Sequence, residues 1–482
     1  MGKVLDKMEP LLACMPSVKP PMGHVHFRNK LMWTAAVLLL YFILTNIPVF
    51  GLSDRSTDMF EYYRALLAGA QGTIVHLGIG PIVTASIVLQ LLRGSELIKI
   101  NTSDQRGQVI YMGLQKLLIF VMIILEAIPN VFGGWIMADE NIVNTVFGGN
   151  ASFVMILIFL QICIGGLLIV FMDEVVSKWG IGSGVGLFIV AGVAQGLVNG
   201  FFNWSSKYSN DGLAFGFFPK LFQGLAEGRN FFDFFGIQLL ALVITVGLFF
   251  LIVFVESSRV EIPLAHANVR GARSRFPVKL VYASVLPMIL VRVLQATVQM
   301  IGMILSKLGI NVLGRFVNST PDTGLMWYLA PINSPMDWMW WISDFSGQGH
   351  AVWEIFIRLG IDICVVILGG ALFAVFWVKT AGLDSQHVAR QIQNSGMQIP
   401  GYRRNPTVLE RYLDRYIPRV TVIGGVIVGL LSIIANMFGV IGFVGGTGLL
   451  LTVSIVYRLY EQIANEQMME MYPFMRSFFN KE

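Results

Sequence analysis

The sequence contains few charged residues. Only 13% of its 482 residues are Asp, Glu, Lys or Arg, about half of the share that a soluble globular protein carries. The apolar fraction is 55% and the mean hydropathy is +0.68. This scarcity of charge excludes a soluble multidomain protein and indicates a polytopic membrane protein.

Cysteines and metal-binding or catalytic motifs are also scarce. Cys14, Cys163 and Cys364 are too few and too scattered for a disulfide framework or a zinc cluster. The glycine-rich run 180–186 lacks the Lys and the Ser or Thr of a phosphate-binding loop. We therefore expect no cofactor, no metal and no enzymatic activity.

The apolar residues fall into ten runs that approach the length of a membrane-spanning helix, about 20 residues. We number them as spans one to ten. They are Leu31–Phe50, Thr73–Leu92, Leu117–Met137, Ser152–Met172, Val185–Phe202, Ile237–Val255, Leu280–Leu305, Ile355–Val378, Val420–Gly442 and Thr447–Gln462. The last two share one uncharged stretch, which we divide at the glycines 445–448 because glycine breaks helices.

The basic residues predict the orientation of these spans. If both termini are cytoplasmic, the inner segments carry 25 Lys and Arg residues and the outer segments carry 7, as the positive-inside rule requires. We predict a cytoplasmic tail over 1–30, a first half over 31–202, an outer loop over 203–236, a second half over 237–462 and a cytoplasmic tail over 463–482. The first apolar run is too long for a cleavable signal peptide.

Two kinds of irregularity interrupt this pattern. The segment 53–72 begins with charged and helix-capping residues and ends in helix formers. It predicts a short helix that dips in from the outer face, and an ordinary surface helix remains the alternative. Gly and Pro interrupt spans two and seven at Leu77–Pro81 and Leu286–Pro287. Breaks at corresponding positions indicate an inverted repeat, and close packing through small residues is the alternative.

Besides Arg458 and Glu461 near the inner end of span ten, four charged residues lie inside predicted spans, where charge is costly and often functional. Arg358 and Asp362, at i and i+4 in span eight, predict a local ion pair. Glu126, near the middle of span three, could pair with Arg292, carry protons, or belong to a polar interface that opens.

Two cytoplasmic loops carry a positive charge. The loop 256–279 has a net charge of +3 and the loop 379–419 has +4. In the second loop, Tyr402 stands beside Arg403 and Arg404, a combination suited to a phosphate backbone. Lipid headgroups and ribosomal RNA are the two alternative partners.

Four long motifs resemble one known family. The matching stretches, in order, are LGIGPIVTA at 77–85, DEVVSKWGIGSG at 173–184, RVEIPLAH at 259–266 and LLTVSIVYR at 450–458. Over nearly its whole length the chain resembles the SecY family of protein-conducting channels. It is closest to the archaeal form and to the alpha subunit of the eukaryotic translocon.

The resemblance implies an all-α polytopic fold of ten transmembrane helices. They form two pseudo-symmetric five-helix halves, an inverted repeat arranged as a clamshell, with a short plug helix at about 53–72 that closes an hourglass pore. The plug residues that it implies are Asp58, Met59, Phe60, Glu61, Tyr62, Tyr63, Arg64, Ala65, Leu66 and Leu67. The implied ring of aliphatic residues at the constriction is Ile79, Val83, Val185, Ile189, Ile289 and Leu451.

The family also opens sideways, between spans two and three on one half and spans seven and eight on the other. The polar cluster of this lateral gate matches Thr84, Glu126 and Thr297. The archaeal pattern commonly has Asn at the third position, so Thr297 is a departure, and Gln295 or Gln299 could supply the missing amide.

The function that the resemblance implies is the central pore-forming subunit of the general protein translocation channel. It would pass unfolded secretory polypeptides across the plasma membrane and release transmembrane segments into the lipid bilayer, mainly co-translationally. The implied partners are a SecE-type subunit, a small beta subunit, the ribosome with its RNA, the nascent polypeptide with its signal sequence, and the signal recognition particle receptor pathway. Ribosome docking would use Arg270, Arg273, Arg275, Arg403 and Arg404.

Two other functions remain as alternatives. A secondary transporter of a small solute would need polar groups at the midplane, where this chain has Gly and aliphatic residues. A structural membrane scaffold would need neither a plug-like insertion nor interrupted spans.

Overall fold

The computed structural model describes residues 15–23, 25–53, 56, 64, 66–94, 105–133, 135–145, 147–205, 213–227, 231–266, 273–279, 286–310, 312–317, 320–340, 350–394, 397–398, 406–441 and 444–471. In the first half, these residues form helices α1 (Phe27–Leu44), α2 (Gly80–Gly94), α3 (Gln105–Phe132), α4 (Glu140–Thr145), α5 (Ala151–Trp179), α6 (Gly184–Phe202) and α7 (Phe217–Ala226).

The second half adds further helices and short strands. In order, they are α8 (Phe231–Ser257), β1 (Arg259–His266), β2 (Arg273–Lys279), α9 (Leu286–Lys307), β3 (Arg315–Val317), β4 (Thr320–Thr323), α10 (Leu325–Leu329), α11 (Val352–Thr380), α12 (Ser385–Asn394), β5 (Met397–Gln398), α13 (Pro406–Phe438) and α14 (Gly446–Met471).

A helix lies within or overlaps each predicted span, and in the described part of the chain eight helices are long and apolar enough to cross a membrane. The other two are α2, with 15 residues, and α14, whose apolar part ends near Arg458. Large apolar side chains such as Phe250, Phe254 and Leu368 are exposed on the outside of the bundle. Their exposure is expected for a surface that contacts lipid.

Spans one and two are shorter as helices than their apolar runs suggest. Helix α1 ends at Leu44 because Pro48 follows, and Pro48 instead bridges to Thr73. Helix α2 begins at Gly80 rather than Thr73 because Gly78 has a left-handed backbone, with φ of +56°. Pro81 then lies in the first turn of α2, where its missing N–H costs nothing.

The packing of the helices forms two halves with a boundary between them. In the first half, α2 packs on α3, α3 on α5, and α5 on α1. In the second half, α11 packs on both α9 and α13. The halves meet where α2 contacts α9 and α11, and where α6 contacts α14. One buried apolar core runs through both halves.

The loop 256–279, which the sequence indicated only as a basic segment, forms a β-hairpin. Strands β1 and β2 are antiparallel, in a register that runs from Arg259 opposite Lys279 to Ala265 opposite Arg273. Strand β5, from the loop 379–419, joins the other edge of β1. The two basic loops therefore meet in one small sheet.

Candidate pore, plug and lateral gate

A cavity of about 320 Å³ lies between α6, α9 and α14. Four of the six predicted ring residues line it, namely Val185, Ile189, Ile289 and Leu451. Ile189 and Leu451 are fully buried, and Val185 is half-buried. The cavity is therefore bounded by aliphatic side chains from three helices and from both halves of the chain.

The remaining two ring residues lie at the start of α2. Ile79, just before the helix, is 0% exposed and Val83 is 6% exposed. Both belong to the same apolar core as Ile189, Ile289 and Leu451. The structure thus brings the six predicted residues into one continuous apolar region.

The turn between α5 and α6 holds the start of α6, the helix that carries the predicted ring residues Val185 and Ile189. The Asp173 carboxylate accepts a hydrogen bond from the Val185 backbone N–H at 2.9 Å, and the Ser183 hydroxyl oxygen accepts one from Gly186 at 3.2 Å. A Cβ on Gly184 would lie only 2.5 Å from Cα of Asp173. This close contact explains why the motif needs glycine beside the helix cap.

The described part of the predicted plug contacts one of the predicted ring residues, Ile79. Of the predicted plug residues, Arg64, Leu66 and Leu67 are described, and 58–63 and 65 lie outside the described residues. Ile79 donates a backbone hydrogen bond to the Leu67 carbonyl at 2.8 Å. The Tyr41 hydroxyl donates to the Ala68 carbonyl at 2.9 Å. The plug segment is thus attached to both the ring and α1.

Gly78 permits this attachment. A Cβ at position 78 would lie 2.2 Å from the Leu67 carbonyl oxygen, closer than any side-chain carbon can approach, and the φ of +56° also disfavours other residues. Arg64 strengthens the contact, because its guanidinium donates to the His76 carbonyl at 2.5 Å.

Two residues of the predicted polar cluster at the lateral gate are in contact. The Thr84 hydroxyl, on α2, lies 2.7 Å from Oε1 of Glu126 on α3. A Cβ on Gly80 would lie 2.9 Å from Oε2 of the same carboxylate, so Glu126 fits closely against the start of α2. Glu126 is only 8% exposed, and Thr84 is a suitable donor for a carboxylate in this place.

The third predicted member, Thr297, bonds within its own helix. Its hydroxyl donates to the Val293 carbonyl at 2.8 Å, and among the described residues no hydrogen bond joins it to Thr84 or Glu126. The amides that could have replaced the missing Asn point elsewhere. Gln295 donates to the Leu329 carbonyl at 3.1 Å and Gln299 to the Met326 carbonyl at 2.9 Å.

The predicted ion pair between Arg358 and Asp362 is wrong, and one of the open alternatives for Glu126 does not occur. Arg292 does not pair with Glu126, because its guanidinium lies 3.3 Å from the Asp362 carboxylate on the adjacent helix α11. Asp362 is therefore not the local partner of Arg358. Arg358 donates to the Pro331 carbonyl at 3.3 Å and lies 5.0 Å from the ring centroid of Trp327. A buried Arg forms an ion pair with a nearby buried carboxylate, and the packing of the helices determines which carboxylate is near.

One contact between the two sides of the predicted lateral gate could not be predicted from the sequence. Lys307, the last residue of α9, donates to the Gly133 carbonyl at 2.8 Å, just beyond α3. Its ammonium also lies 3.9 Å from the ring centroid of Trp135. A lysine at a helix end is common, so only the fold reveals that it links the two halves.

The base of the hairpin is fixed to α14. Glu461 accepts a hydrogen bond from Arg259 at 2.7 Å and also pairs with Lys279. Of the predicted docking residues, Arg273 and Arg275 lie on β2, and Arg270, Arg403 and Arg404 lie outside the described residues. Within the described ranges, no three His, Cys, Asp or Glu side chains could hold a metal ion together.

Comparison with known proteins identifies relatives over the full length of the chain. The SecY family model matches residues 73–460, and a model described as the plug domain of Sec61p matches residues 39–72. The protein translocase subunit SecY of Archaeoglobus fulgidus is 50% identical over 100% of both chains. The SecY subunit of Haloarcula marismortui is 54% identical over 98% of this chain and 99% of its own.

Solved structures agree with these relatives. A protein-conducting channel is similar with a TM-score of 0.80 and 35% identity, covering 96% of this chain and 98% of its own. Sec61 in a canine ribosome-channel complex from the endoplasmic reticulum is similar with a TM-score of 0.77 and 35% identity, over the same shares. Sequence motifs, helix arrangement and full-length relatives together lead to one conclusion: this chain belongs to the SecY family.

Proposed function

We propose that this chain is the central pore-forming subunit of a protein translocation channel. Unfolded polypeptides cross the membrane through its apolar ring, and transmembrane segments leave sideways into lipid through the lateral gate. The observation that supports this proposal is the backbone hydrogen bond from Ile79 to the Leu67 carbonyl, which joins a predicted ring residue to the predicted plug segment. A plug on a ring of aliphatic residues suits a pore that must be closed when idle.

The apolar ring has a physical role in such a pore. A narrow aliphatic constriction resists ions because water does not readily wet it. It also offers no polar group that would hold one particular side chain of a passing polypeptide. The cavity beside Ile189, Ile289 and Leu451 is also lined by polar residues, among them Ser183 at the start of α6 and Arg458 and Gln462 further along α14.

This arrangement does not support a secondary transporter. A transporter binds its solute through polar groups at the membrane midplane, whereas the centre of this chain consists of buried aliphatic residues. The buried charges Arg292 and Asp362 pair with each other at 3.3 Å. Arg458, which lines the cavity, pairs with the buried Glu256 at 3.6 Å.

The lateral gate lies where α2 and α3 meet α9 and α11. Glu126 and Thr84 hold α2 against α3 on one side, and Arg292 and Asp362 join α9 to α11 on the other. Because these bonds lie within each wall, separating the walls does not break them, although it breaks the bond between Lys307 and the Gly133 carbonyl. A hydrophobic signal segment could then enter from the pore.

The expected location is the plasma membrane, with both termini in the cytoplasm, because the basic residues concentrate in the loops on that side. The joined sheet of the two basic loops then faces the ribosome. A SecE-type subunit and a small beta subunit complete the complex, and no covalent chemistry takes place.

A crosslinking experiment tests the pore. A photoreactive amino acid replaces Ile79 or Ile289 in the ring, or Leu368 as a lipid-facing control that is 68% exposed. With a stalled secretory nascent chain, positions 79 and 289 should crosslink to the polypeptide and position 368 to lipid. Crosslinking at position 368 alone would rule out a central pore, and crosslinking to a small solute at position 79 would favour a transporter.

A further inference from the structure

Among the described residues, Arg292 is the most deeply buried basic residue. The proposed pore does not explain why a charge is placed there. Arg292 is 2% exposed, in the membrane-spanning helix α9. Placing a charge there costs free energy unless it is paired. Its guanidinium lies 2.9 Å from the Gln295 side-chain oxygen and 3.3 Å from the Asp362 carboxylate. Such a costly group calls for a function.

The cluster joins two helices through more than one bond. Gln295 donates to the Asp362 carboxylate at 3.1 Å, so both side chains of α9 contact the same oxygen of α11. Asp362 is also 2% exposed. The bonds therefore lie in a low-dielectric environment, where they are stronger and where losing one partner is most damaging.

Helix α10 is held between the same two helices. From α9, Gln295 and Gln299 donate to the carbonyls of Leu329 and Met326. From α11, Arg358 donates to the carbonyls of Ala330 and Pro331, at 3.4 and 3.3 Å. Arg292, Gln295 and Gln299 follow the i, i+3, i+7 spacing of a single helix face. One face of α9 thus bonds both α11 and α10, and Arg358 of α11 bonds the two residues that follow α10.

Close packing supports the polar bonds. A Cβ on Gly369 of α11 would lie 2.9 Å from the Val291 side chain, and one on Gly302 of α9 would lie 2.7 Å from the Met326 side chain. Glycines at these contacts let the helices approach as membrane helices do when they form stable pairs. Polar bonds and packing therefore act on the same three helices.

We propose that Arg292 is a positioning residue that locks α9 to α11, with α10 held between them, so that this wall of the lateral gate moves as one rigid body when the gate opens. The inference rests on the proposed lateral gate. The buried atoms Nε and Nη2 of Arg292 and Oδ2 of Asp362 have no hydrogen-bond partner in the described structure. Ordered water inside the wall would satisfy them.

Distances between spin labels test the lock. In full-length protein without its native cysteines, labels at Ile301 and Leu368 report the wall from α9 to α11. Labels at Ile128 and Ile301 report the gate from α3 to α9. All three side chains are exposed. In nanodiscs, a hydrophobic signal peptide should shift the gate distance and leave the wall distance unchanged.

Removing one charge should break the lock. Arg292→Met or Asp362→Leu leaves an uncompensated buried charge, so the wall distance should lose its single narrow peak even without peptide. Asp362→Glu, which keeps the charge, should preserve the peak, and so should Thr297→Val, a control on α9 outside the cluster. Wall distances in both single variants that match the wild type would overturn the proposal.

The double variant Arg292→Met with Asp362→Leu covers the case in which the single variants do not fold. It contains no lone charge, so its wall distance without peptide should show one narrow peak. When peptide is added, the wall distance should shift together with the gate distance. A wall that stays fixed in this variant would refute the lock. If peptide fails to move the gate in the wild type, the lateral gate fails, while the resting wall distances still decide the lock.

Discussion

Single residues determine how closely the predicted plug segment can pack against the start of α2. Gly78 is the clearest case, because a Cβ there would lie 2.2 Å from the Leu67 carbonyl oxygen and its φ is +56°. The backbone conformation alone costs other residues about 1 kcal/mol. We expect Gly78→Ala to displace the plug segment and to make the idle channel conduct ions in planar bilayers.

The control for that measurement is Gly247→Ala in α8, where an added Cβ would meet no atom within 4 Å. This change should improve helix propensity and leave conductance at the wild-type level. Equal conductance in both variants would show that the plug does not depend on the close approach at Gly78.

The bond between Thr84 and Glu126 gives a second prediction for one residue. Thr84→Val keeps the shape of the side chain but removes the hydroxyl 2.7 Å from the buried carboxylate. Leaving a buried acceptor unpaired costs about 1–3 kcal/mol, so the thermal unfolding temperature should fall. Thr297→Val, which removes only a bond to the Val293 carbonyl, should change it far less. Equal decreases would indicate that the pair has no special role.

The partner of Asp362 shows why sequence alone misses such pairs. The i, i+4 spacing predicts a bond to Arg358, yet the carboxylate bonds Arg292, which is 70 positions away in sequence. Helix packing brings them together, and no local pattern encodes it. Ile189 and Leu451 were assigned to the ring only through the resemblance, because any membrane helix contains similar aliphatic residues.

At the scale of elements, Lys307 links the C-terminal end of α9 to the residues after α3. It combines a hydrogen bond to the Gly133 carbonyl with an ammonium 3.9 Å from the Trp135 ring centroid. An exposed cation–π contact contributes about 0.5–1 kcal/mol. Lys307→Met should therefore raise the ratio of open to closed gate by roughly fivefold, since 1 kcal/mol corresponds to about that factor.

Spin labels at Ile128 and Ile301 would measure this change in the gate. Lys307→Arg keeps the cation over the ring and should behave like the wild type. Trp135→Leu should resemble Lys307→Met, because it removes the same contact from the other side. If Lys307→Met leaves the distance distribution unchanged at every peptide concentration, the link does not hold the gate closed.

Elements differ in how far the sequence predicts them. Long apolar runs require membrane helices, because lipid can accommodate the backbone only when its polar groups bond internally. The start of α2 at Gly80 depends instead on the plug contact at Gly78, which is tertiary. The pairing of β1 with β5 joins segments more than 100 residues apart, so the sequence showed two basic loops and not their common sheet.

At the scale of the whole molecule, the hairpin is connected to the pore. Glu461 of α14 binds Arg259 and Lys279 at the base of the hairpin, and Leu451 of the ring lies earlier in the same helix. A partner that docks on the sheet, as we propose, would therefore contact a hairpin that is bonded to the helix carrying the predicted ring residue Leu451.

Ribosome docking gives the prediction for the complete assembly. Arg273→Glu with Arg275→Glu reverses two charges on β2 and should weaken binding of purified ribosomes to the reconstituted channel. Because phosphate contacts release counterions, wild-type affinity should fall with rising salt, and the variant should show a shallower salt dependence. Arg315→Glu, on β3 in the predicted outer loop, is the matched control and should bind as the wild type does. If the control weakens binding equally, general surface charge and not the hairpin attracts the ribosome; if neither variant changes it, the hairpin does not dock.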